Sequence, residues 1–257
     1  MDESGRGNDP TVVLLHGVGT SGWMWRKLAT ALGTDLHIVI PDLPGHGRSN
    51  SRPWVSMADT VAAIADVIRA SSPSRRAHVV GVSLGGHVAV QLAADVPEVV
   101  ESAIGSGVNV LPFPHPAMMR LAGLVMAPFM SSGPMLRANA KALGVPGEDF
   151  ADYQTAAKAM RRGTFRRVGA ELMTFGVPAT AATSPCRLLA VAGENEHGLI
   201  LRSLPELADG FARGTARTVP EVGHAWVGQA PELFAAMVRA HVADAALPDE
   251  LGRTVGA

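Results

Sequence analysis

The sequence predicts an α/β protein with a doubly wound, mainly parallel sheet. Short apolar runs bounded by turn residues alternate with segments of helical periodicity, a pattern typical of repeated βαβ units. One apolar run leads through a glycine-flanked serine straight into a helical segment, which indicates a tight strand-to-helix turn. We therefore expect a sheet of about six strands. The candidate strands are residues 11–16, 36–41, 77–82, 100–106, 186–192 and 216–220.

Amphipathic segments connect these strands, as a doubly wound sheet requires. The last of them begins with Pro231, and proline is tolerated in the first turn of a helix. The clearest helical segments are residues 25–32, 57–70, 204–211 and 231–243.

The stretch 111–184 interrupts this alternation. It is rich in proline and methionine and predicts several short helices without a strand. An insertion of this length should fold as its own helical subdomain, and methionine side chains adapt to varied apolar shapes. We therefore expect residues 1–110 and 185–257 to form the core, with 111–184 as a helical cap over an apolar pocket. The alternative is an ordinary helical layer with a methionine-rich core.

Composition and charge exclude several function classes. The chain has 257 residues, is 47% hydrophobic and carries a net charge of −1, which gives no electrostatic case for binding nucleic acid or an anionic membrane. Its single cysteine, Cys186, excludes an internal disulfide and a cysteine-based zinc site. No apolar run reaches the ~18 residues of a membrane span, and the polar N-terminus lacks a signal-peptide core. We expect a cytoplasmic monomer or homodimer without cofactor or metal.

The segment Gly81-Val82-Ser83-Leu84-Gly85-Gly86 has the pattern of a nucleophile elbow between a buried strand and a helix. A serine on such a turn adopts strained backbone angles. Glycines are needed two residues on either side of it, because a Cβ there would clash with the adjacent strand and helix. The turn exposes the hydroxyl and places the next backbone N–H at a helix N-terminus, where an oxyanion can bind. Ser83 is therefore the candidate nucleophile.

A nucleophilic serine needs a base, an acid that orients the base, and an oxyanion hole. His224 follows the last candidate strand, and we expect it to reach Ser83 as the base. The turn after strand 186–192 offers two carboxylates, Glu194 and Glu196. We favour Glu196 because it lies farther past the strand end, with Glu194 as the alternative. The non-catalytic alternatives are a loop histidine bonded to backbone and a solvated glutamate.

The glycine-rich turn His16-Gly17-Val18-Gly19 follows the first candidate strand. Its glycines allow the backbone to turn sharply and to approach a ligand closely. We expect the N–H groups of Val18 and Leu84 to form the oxyanion hole. The turn lacks the G-x-G-x-x-G spacing and the later acidic residue of a dinucleotide-binding loop, so no nucleotide cofactor is predicted.

Taken together, these segments resemble the α/β-hydrolase fold family, in the branch with a helical cap. The resemblance covers about residues 11–242 and implies the chain order nucleophile, cap, acid, histidine. The matching segments are residues 16–19, 21–23, 41–49, 81–86, 193–196 and 223–226.

The sequence departs from the family pattern in two respects. Family members usually begin with an antiparallel strand pair, but only ten mostly polar residues precede the first strand here. Strand 36–41 is therefore expected to be an exposed edge, which could pair with another subunit or be shielded within the chain. The usual acid is an aspartate, whereas this chain offers a glutamate.

The resemblance and the serine at position 83 imply a serine hydrolase that cleaves a small or medium apolar carboxylic ester, lactone or thioester through an acyl-enzyme. Epoxide hydrolases and haloalkane dehalogenases of this fold are excluded because their nucleophile is an aspartate. An acyltransferase, a biosynthetic lyase or cyclase, and a binding protein without turnover stay open. The expected partner is a small-molecule ester. The candidate pocket residues, which could equally pack in the core, are Trp23, Trp25, Met118, Met126 and Trp226.

Overall fold

The structure, a computed structural model, describes residues 1–114, 118 and 132–253. Within these residues eight strands form one sheet. The strands are β1 (Asp2–Ser4), β2 (Thr11–Leu15), β3 (His37–Ile40), β4 (Ala77–Val82), β5 (Val100–Ser106), β6 (Arg187–Gly193), β7 (Arg213–Val219) and β8 (Gly252–Arg253). Their order is β1-β3-β2-β4-β5-β6-β7-β8. The six strands from β2 to β7 run parallel, and β1 and β8 pair antiparallel at the edges.

Helices pack on both faces of this sheet. In the described residues they are α1 (Arg26–Leu32), α2 (Met57–Ser71), α3 (Leu84–Asp95), α4 (Gly133–Leu143), α5 (Phe150–Ala159), α6 (Thr164–Leu172), α7 (Gly198–Gly210), α8 (Trp226–Gln229) and α9 (Pro231–Val242). Helices α2, α3 and α7 bury apolar side chains against one face, and α1 and α9 against the other. This arrangement confirms the predicted doubly wound α/β fold.

The central strands are covered on both faces, which explains their continuous apolar sequence. Every residue of β2 and of β4 is buried. Parallel strands sandwiched between helices have no solvated side, so they lack the alternation of a half-exposed strand. These fully buried strands could therefore be recognised from hydrophobicity alone.

The sheet edges differ from the expectation of an exposed strand 36–41. β1 pairs antiparallel with β3, with Asp2 opposite Ile40 and Ser4 opposite Ile38. The Glu3 carboxylate of β1 lies 2.9 Å from Nε2 of the buried His37. The edge is thus shielded within the chain, by a strand too short and too polar to show a hydrophobic pattern. β8 covers the opposite edge in the same way, along β7.

Two further boundaries differ from the sequence prediction. Helix α7 begins at Gly198 rather than at residue 204, because the His197 ring accepts the Leu199 N–H at 3.2 Å and caps the helix. β7 begins at Arg213 rather than at residue 216, since its first residues are polar and incompletely buried.

The helices α4, α5 and α6 lie between β5 and β6 in sequence. Leu136, Ala140 and Tyr153 give α4 and α5 a small apolar cluster of their own, whereas α6 packs into the main core through Val168. A backbone hydrogen bond connects α4 to the loop that follows β7. The Ala225 N–H donates to the Leu143 carbonyl at 2.9 Å, so the end of α4 contacts the residue that follows His224.

None of the described helices is long and apolar enough to cross a membrane. Within the same residues, no group of three or more histidine, cysteine, aspartate or glutamate side chains could hold a metal ion.

Candidate active site

Ser83 occupies a strained turn between the end of β4 and the start of α3. Its backbone angles are φ 55° and ψ −117°, a conformation that is uncommon for a residue with a side chain. The Ser83 N–H donates to the Ser106 carbonyl at 2.8 Å, which ties the turn to the end of β5. The surrounding strands therefore hold the serine in this conformation.

The flanking glycines are required by direct contact between backbones. A Cβ on Gly81 would lie 2.0 Å from the Gly85 carbonyl oxygen. A Cβ on Gly85 would lie 1.9 Å from the carbonyl oxygen of Leu15 in β2. Both distances are far inside van der Waals contact, and the neighbours are main-chain atoms that cannot rotate away.

We expect Gly85→Ala to reduce the free energy of unfolding by about 3 kcal/mol or more, because α3 and β2 must separate to admit one methyl group. The matched control is Gly169→Ala in α6, where an added Cβ meets nothing within 4 Å. That change should stabilise the protein by up to about 1 kcal/mol, through helix propensity. Urea unfolding of both variants measures the difference, and equal stabilities would contradict the geometry.

His224 and Glu196 form a hydrogen-bonded pair beyond the ends of β7 and β6. The His224 Nδ1 lies 2.8 Å from Oε1 and 2.9 Å from Oε2 of Glu196. The Glu196 side chain is only 2% exposed, and that of His224 17%. Glu194 is exposed instead, and its backbone N–H donates to the Val219 carbonyl. The structure thus places the carboxylate of Glu196, and not that of Glu194, in contact with the His224 imidazole.

A glycine that the sequence reasoning missed lies between the serine and this pair. Gly107 follows Ser106 and has φ +67°, which favours glycine. A Cβ on Gly107 would lie 2.8 Å from Cε1 of His224 and 3.1 Å from Oε1 of Glu196. Ser83 bonds to Ser106 and the histidine lies against Gly107, so both adjoin the end of β5.

The Ser83 hydroxyl does not yet bond to the histidine. Among the described residues, the hydrogen bonds of the His224 ring run to Glu196 alone. Hydrogen bonds between a nucleophile and its base are often long without substrate and shorten when substrate binds. The structure shows the imidazole oriented by Glu196.

The two predicted oxyanion donors lie on either side of Ser83. Leu84 opens α3, so its N–H has no acceptor within the helix. Val18 belongs to the turn after β2, where a Cβ on Gly17 would lie 3.5 Å from the Ser83 Cβ. Both backbone segments therefore adjoin the serine.

The buried His16 fixes the turn that contains Val18. Its Nε2 accepts the Leu43 N–H at 2.9 Å, so Nδ1 carries the proton and donates to the Gly17 carbonyl at 2.9 Å. Burial lowers the pKa of His16 to about 3, so the ring is neutral at ordinary pH. The Thr20 hydroxyl also donates to the Gly17 carbonyl, at 2.7 Å.

An apolar cavity of about 350 Å³ lies near the N-terminal turn of α3. Its walls come from the segment after β5 and the segment after α6. Phe175 of this wall packs edge-on against His87 of α3, with ring centroids 4.8 Å apart. The lining residues are Val110, Pro112, Phe113, Met173, Thr174, Phe175 and Gly176. The sequence analysis missed this wall, although two phenylalanines within a proline-rich insertion were an available signal.

The four candidate pocket residues that the structure describes do not line this cavity. Trp25 and Trp226 are fully buried against Phe234, in the core between the sheet and α9, so they pack in the core rather than line a pocket. Trp23 is half-buried against the cluster between α4 and α5. Met118 is 64% exposed. Met126 lies outside the described residues.

Curated relatives of this chain include several pimeloyl-(acyl-carrier protein) methyl ester esterases. A pimeloyl-(acyl-carrier protein) methyl ester esterase of Proteus mirabilis is 36% identical over 93 residues, which cover 36% of this chain and 34% of the relative. The chain spans between 34% and 46% of the length of the first curated relatives it matches. These matches are therefore partial.

Solved structures match over nearly the whole chain. A hydrolase from Pseudomonas aeruginosa has a TM-score of 0.77 and 23% identity, and the match covers 95% of this chain and 93% of that one. The enol-lactonase from Burkholderia xenovorans has a TM-score of 0.72 and 18% identity, with 94% and 95% covered. At these identities the likeness shows the fold. A family model matches residues 12–237, and this chain therefore belongs to the alpha/beta hydrolase family.

Proposed function

We propose that this protein is a cofactor-independent serine hydrolase that cleaves a small or medium apolar carboxylic ester through an acyl-enzyme. The observation that carries the proposal is the His224–Glu196 pair, at 2.8 Å, beside a serine on a strained glycine-flanked turn. An orienting carboxylate, an imidazole and a nearby exposed hydroxyl are the groups that acyl transfer requires.

In the first half-reaction the Ser83 oxygen attacks the ester carbonyl, and His224 takes the hydroxyl proton. The resulting tetrahedral oxyanion accepts hydrogen bonds from the N–H groups of Val18 and Leu84. When this intermediate collapses, His224 returns the proton to the leaving alcohol. In the second half-reaction His224 deprotonates a water molecule, which attacks the acyl-enzyme and releases the carboxylic acid.

Glu196 supports both steps through its position. Its side chain is almost fully buried, so its charge acts on the imidazole with little screening by water. It holds Nδ1–H, which directs Nε2 toward the serine, and it stabilises the imidazolium that forms after proton transfer. Glutamate thereby takes the role for which aspartate is usual in the family.

We propose that residues 111–184 are the cap and that residues 1–110 and 185–257 are the catalytic core. The cavity described above supports an apolar acyl group, since its described lining is aliphatic, aromatic and sulfur-containing apart from Thr174. The names of the relatives, a methyl ester esterase and an enol-lactonase, are consistent with carbonyl substrates of this class.

Nitrophenyl esters of increasing chain length test this substrate class. We expect kcat/KM to rise from the acetyl ester to medium-chain esters, because each added methylene buries apolar surface worth about 0.8 kcal/mol. The variant Gly176→Trp should abolish this rise by filling the cavity, while the acetyl ester is cleaved at the wild-type rate. Gly176 is exposed and an added Cβ meets nothing within 4 Å, so the fold should tolerate the change. A preference for the acetyl ester in the wild type would contradict the apolar pocket.

A further inference from the structure

A histidine contacts the carbonyl oxygen of one peptide group whose N–H belongs to the proposed oxyanion hole. The Leu84 N–H and the Ser83 carbonyl belong to the same peptide. His87 lies one helical turn later, and its backbone N–H donates to this carbonyl at 3.0 Å. Its ring Nδ1 lies 2.8 Å from the same oxygen. One residue thus makes two contacts with the carbonyl opposite the proposed donor.

The protonation of the ring follows from its surroundings. His87 is 4% exposed, and burial lowers its pKa to about 4, so the ring is neutral and carries one proton at ordinary pH. Its Nε2 lies 3.2 Å from the Asn109 carbonyl. Either tautomer leaves one bare ring nitrogen facing a carbonyl oxygen. A proton on Nδ1 makes the shorter hydrogen bond and leaves the bare nitrogen at the longer distance, 3.2 Å, whereas a proton on Nε2 would leave it at 2.8 Å from the Ser83 oxygen. Nδ1 is therefore the donor.

The other proposed donor is supported in the same manner. His16 Nδ1–H donates to the Gly17 carbonyl at 2.9 Å, and that carbonyl shares its peptide with the Val18 N–H. A hydrogen bond to a peptide carbonyl polarises the whole amide and strengthens its N–H as a donor. Both N–H groups of the proposed oxyanion hole therefore belong to peptides that a buried, neutral imidazole polarises.

His87 also joins the elbow to the cavity. Its ring packs edge-on against Phe175, which lines the cavity, and Asn109 directly precedes the lining residue Val110. The His87 ring cannot shift without displacing Phe175 or losing its contact with the Asn109 carbonyl, so both contacts keep its Nδ1 at the Ser83 carbonyl.

We propose that His87 is a positioning residue, whose Nδ1–H orients and polarises the Ser83–Leu84 peptide so that the Leu84 N–H binds the oxyanion. This inference rests on the proposed function. Because the oxyanion exists only in the transition state and the intermediate, losing the contact lowers kcat and leaves KM nearly unchanged.

Three substitutions separate the Nδ1 contact from the bulk of the ring. The amide nitrogen of His87→Asn can take the place of Nδ1, that of His87→Gln reaches the place of Nε2, and His87→Leu provides neither. We expect the Leu and Gln variants to lose about 10- to 100-fold in kcat, less than the ~10²–10³ for deleting an oxyanion donor. The Asn variant should stay within about threefold of wild type. The affinity for a trifluoromethyl ketone, which forms an oxyanion adduct on a nucleophilic serine, should fall in parallel with kcat/KM.

His241→Leu is the matched control, because His241 is also a buried histidine, at 9% exposure, but lies on α9 away from the elbow. It should lose stability without losing kcat. Equal kcat in the Asn and Leu variants, or a loss confined to KM, would overturn the role of His87 while leaving the hydrolase intact. A wild-type protein that neither cleaves esters nor binds the ketone would overturn the proposed function as well.

Discussion

Ser83→Ala is expected to reduce kcat/KM for nitrophenyl esters by a factor on the order of 10⁴–10⁶. The variant removes the oxygen that forms the acyl-enzyme but keeps the oxyanion donors and the pocket, so KM should change little. The backbone strain is common to serine and alanine, because φ is 55° at this position. The folded structure should therefore be retained, and ester hydrolysis alone reports the loss.

A buried serine outside the site serves as the control. Ser102 lies within β5, where its hydroxyl is 2.8 Å from the His78 ring. Ser102→Ala makes the same chemical change, the loss of one hydroxyl group, and should leave kcat/KM within about twofold of wild type. If Ser83→Ala retained more than about a tenth of the wild-type kcat, Ser83 would not be the nucleophile.

Glu196→Gln is expected to lower kcat by about 10³–10⁴-fold, with a small effect on KM. Glutamine keeps the size of the side chain but removes the charge that stabilises the imidazolium. It can also present its amide group to Nδ1, which would favour the wrong tautomer of His224. The loss should be large because the carboxylate is only 2% exposed and water cannot replace it.

Glu194→Gln makes the same chemical change two residues away and should alter kcat by less than about twofold. Glu194 is exposed, and the carboxylate that bonds to the His224 ring is that of Glu196. Steady-state kinetics of the two variants compares the carboxylates directly. A collapse of kcat in the Glu194 variant alone would reverse the assignment of the acid.

Much of the fold could be predicted because its strongest signals are local. The buried parallel strands appear as apolar runs, and the elbow appears as a serine between glycines. The two edge strands could not be predicted, since Asp2–Ser4 is polar and Gly252–Arg253 has only two residues. These two strands form by pairing with the backbone N–H and C=O groups at the outer edges of β3 and β7, and those edges exist only after the sheet has formed.

The candidate site divides in the same way. Glu196 and His224 could be named because each follows a strand whose end faces the same edge of the sheet. Trp25 and Trp226 could not be assigned to the core or to a pocket, because an apolar residue type does not indicate which of the two its side chain will occupy. His87 went unnoticed although it lies four residues after Ser83, since the bond from its ring to the preceding turn becomes visible only in the structure.

The proposed mechanism requires a covalent bond to Ser83, and a fluorophosphonate probe tests for this bond directly. The folded protein is incubated with the probe, digested, and the modified residue is located by mass spectrometry. We expect one adduct, on Ser83, that is lost in Ser83→Ala and forms much more slowly in His224→Ala. Absence of an adduct on well-folded wild-type protein, or an adduct on a different residue, would contradict the proposed mechanism.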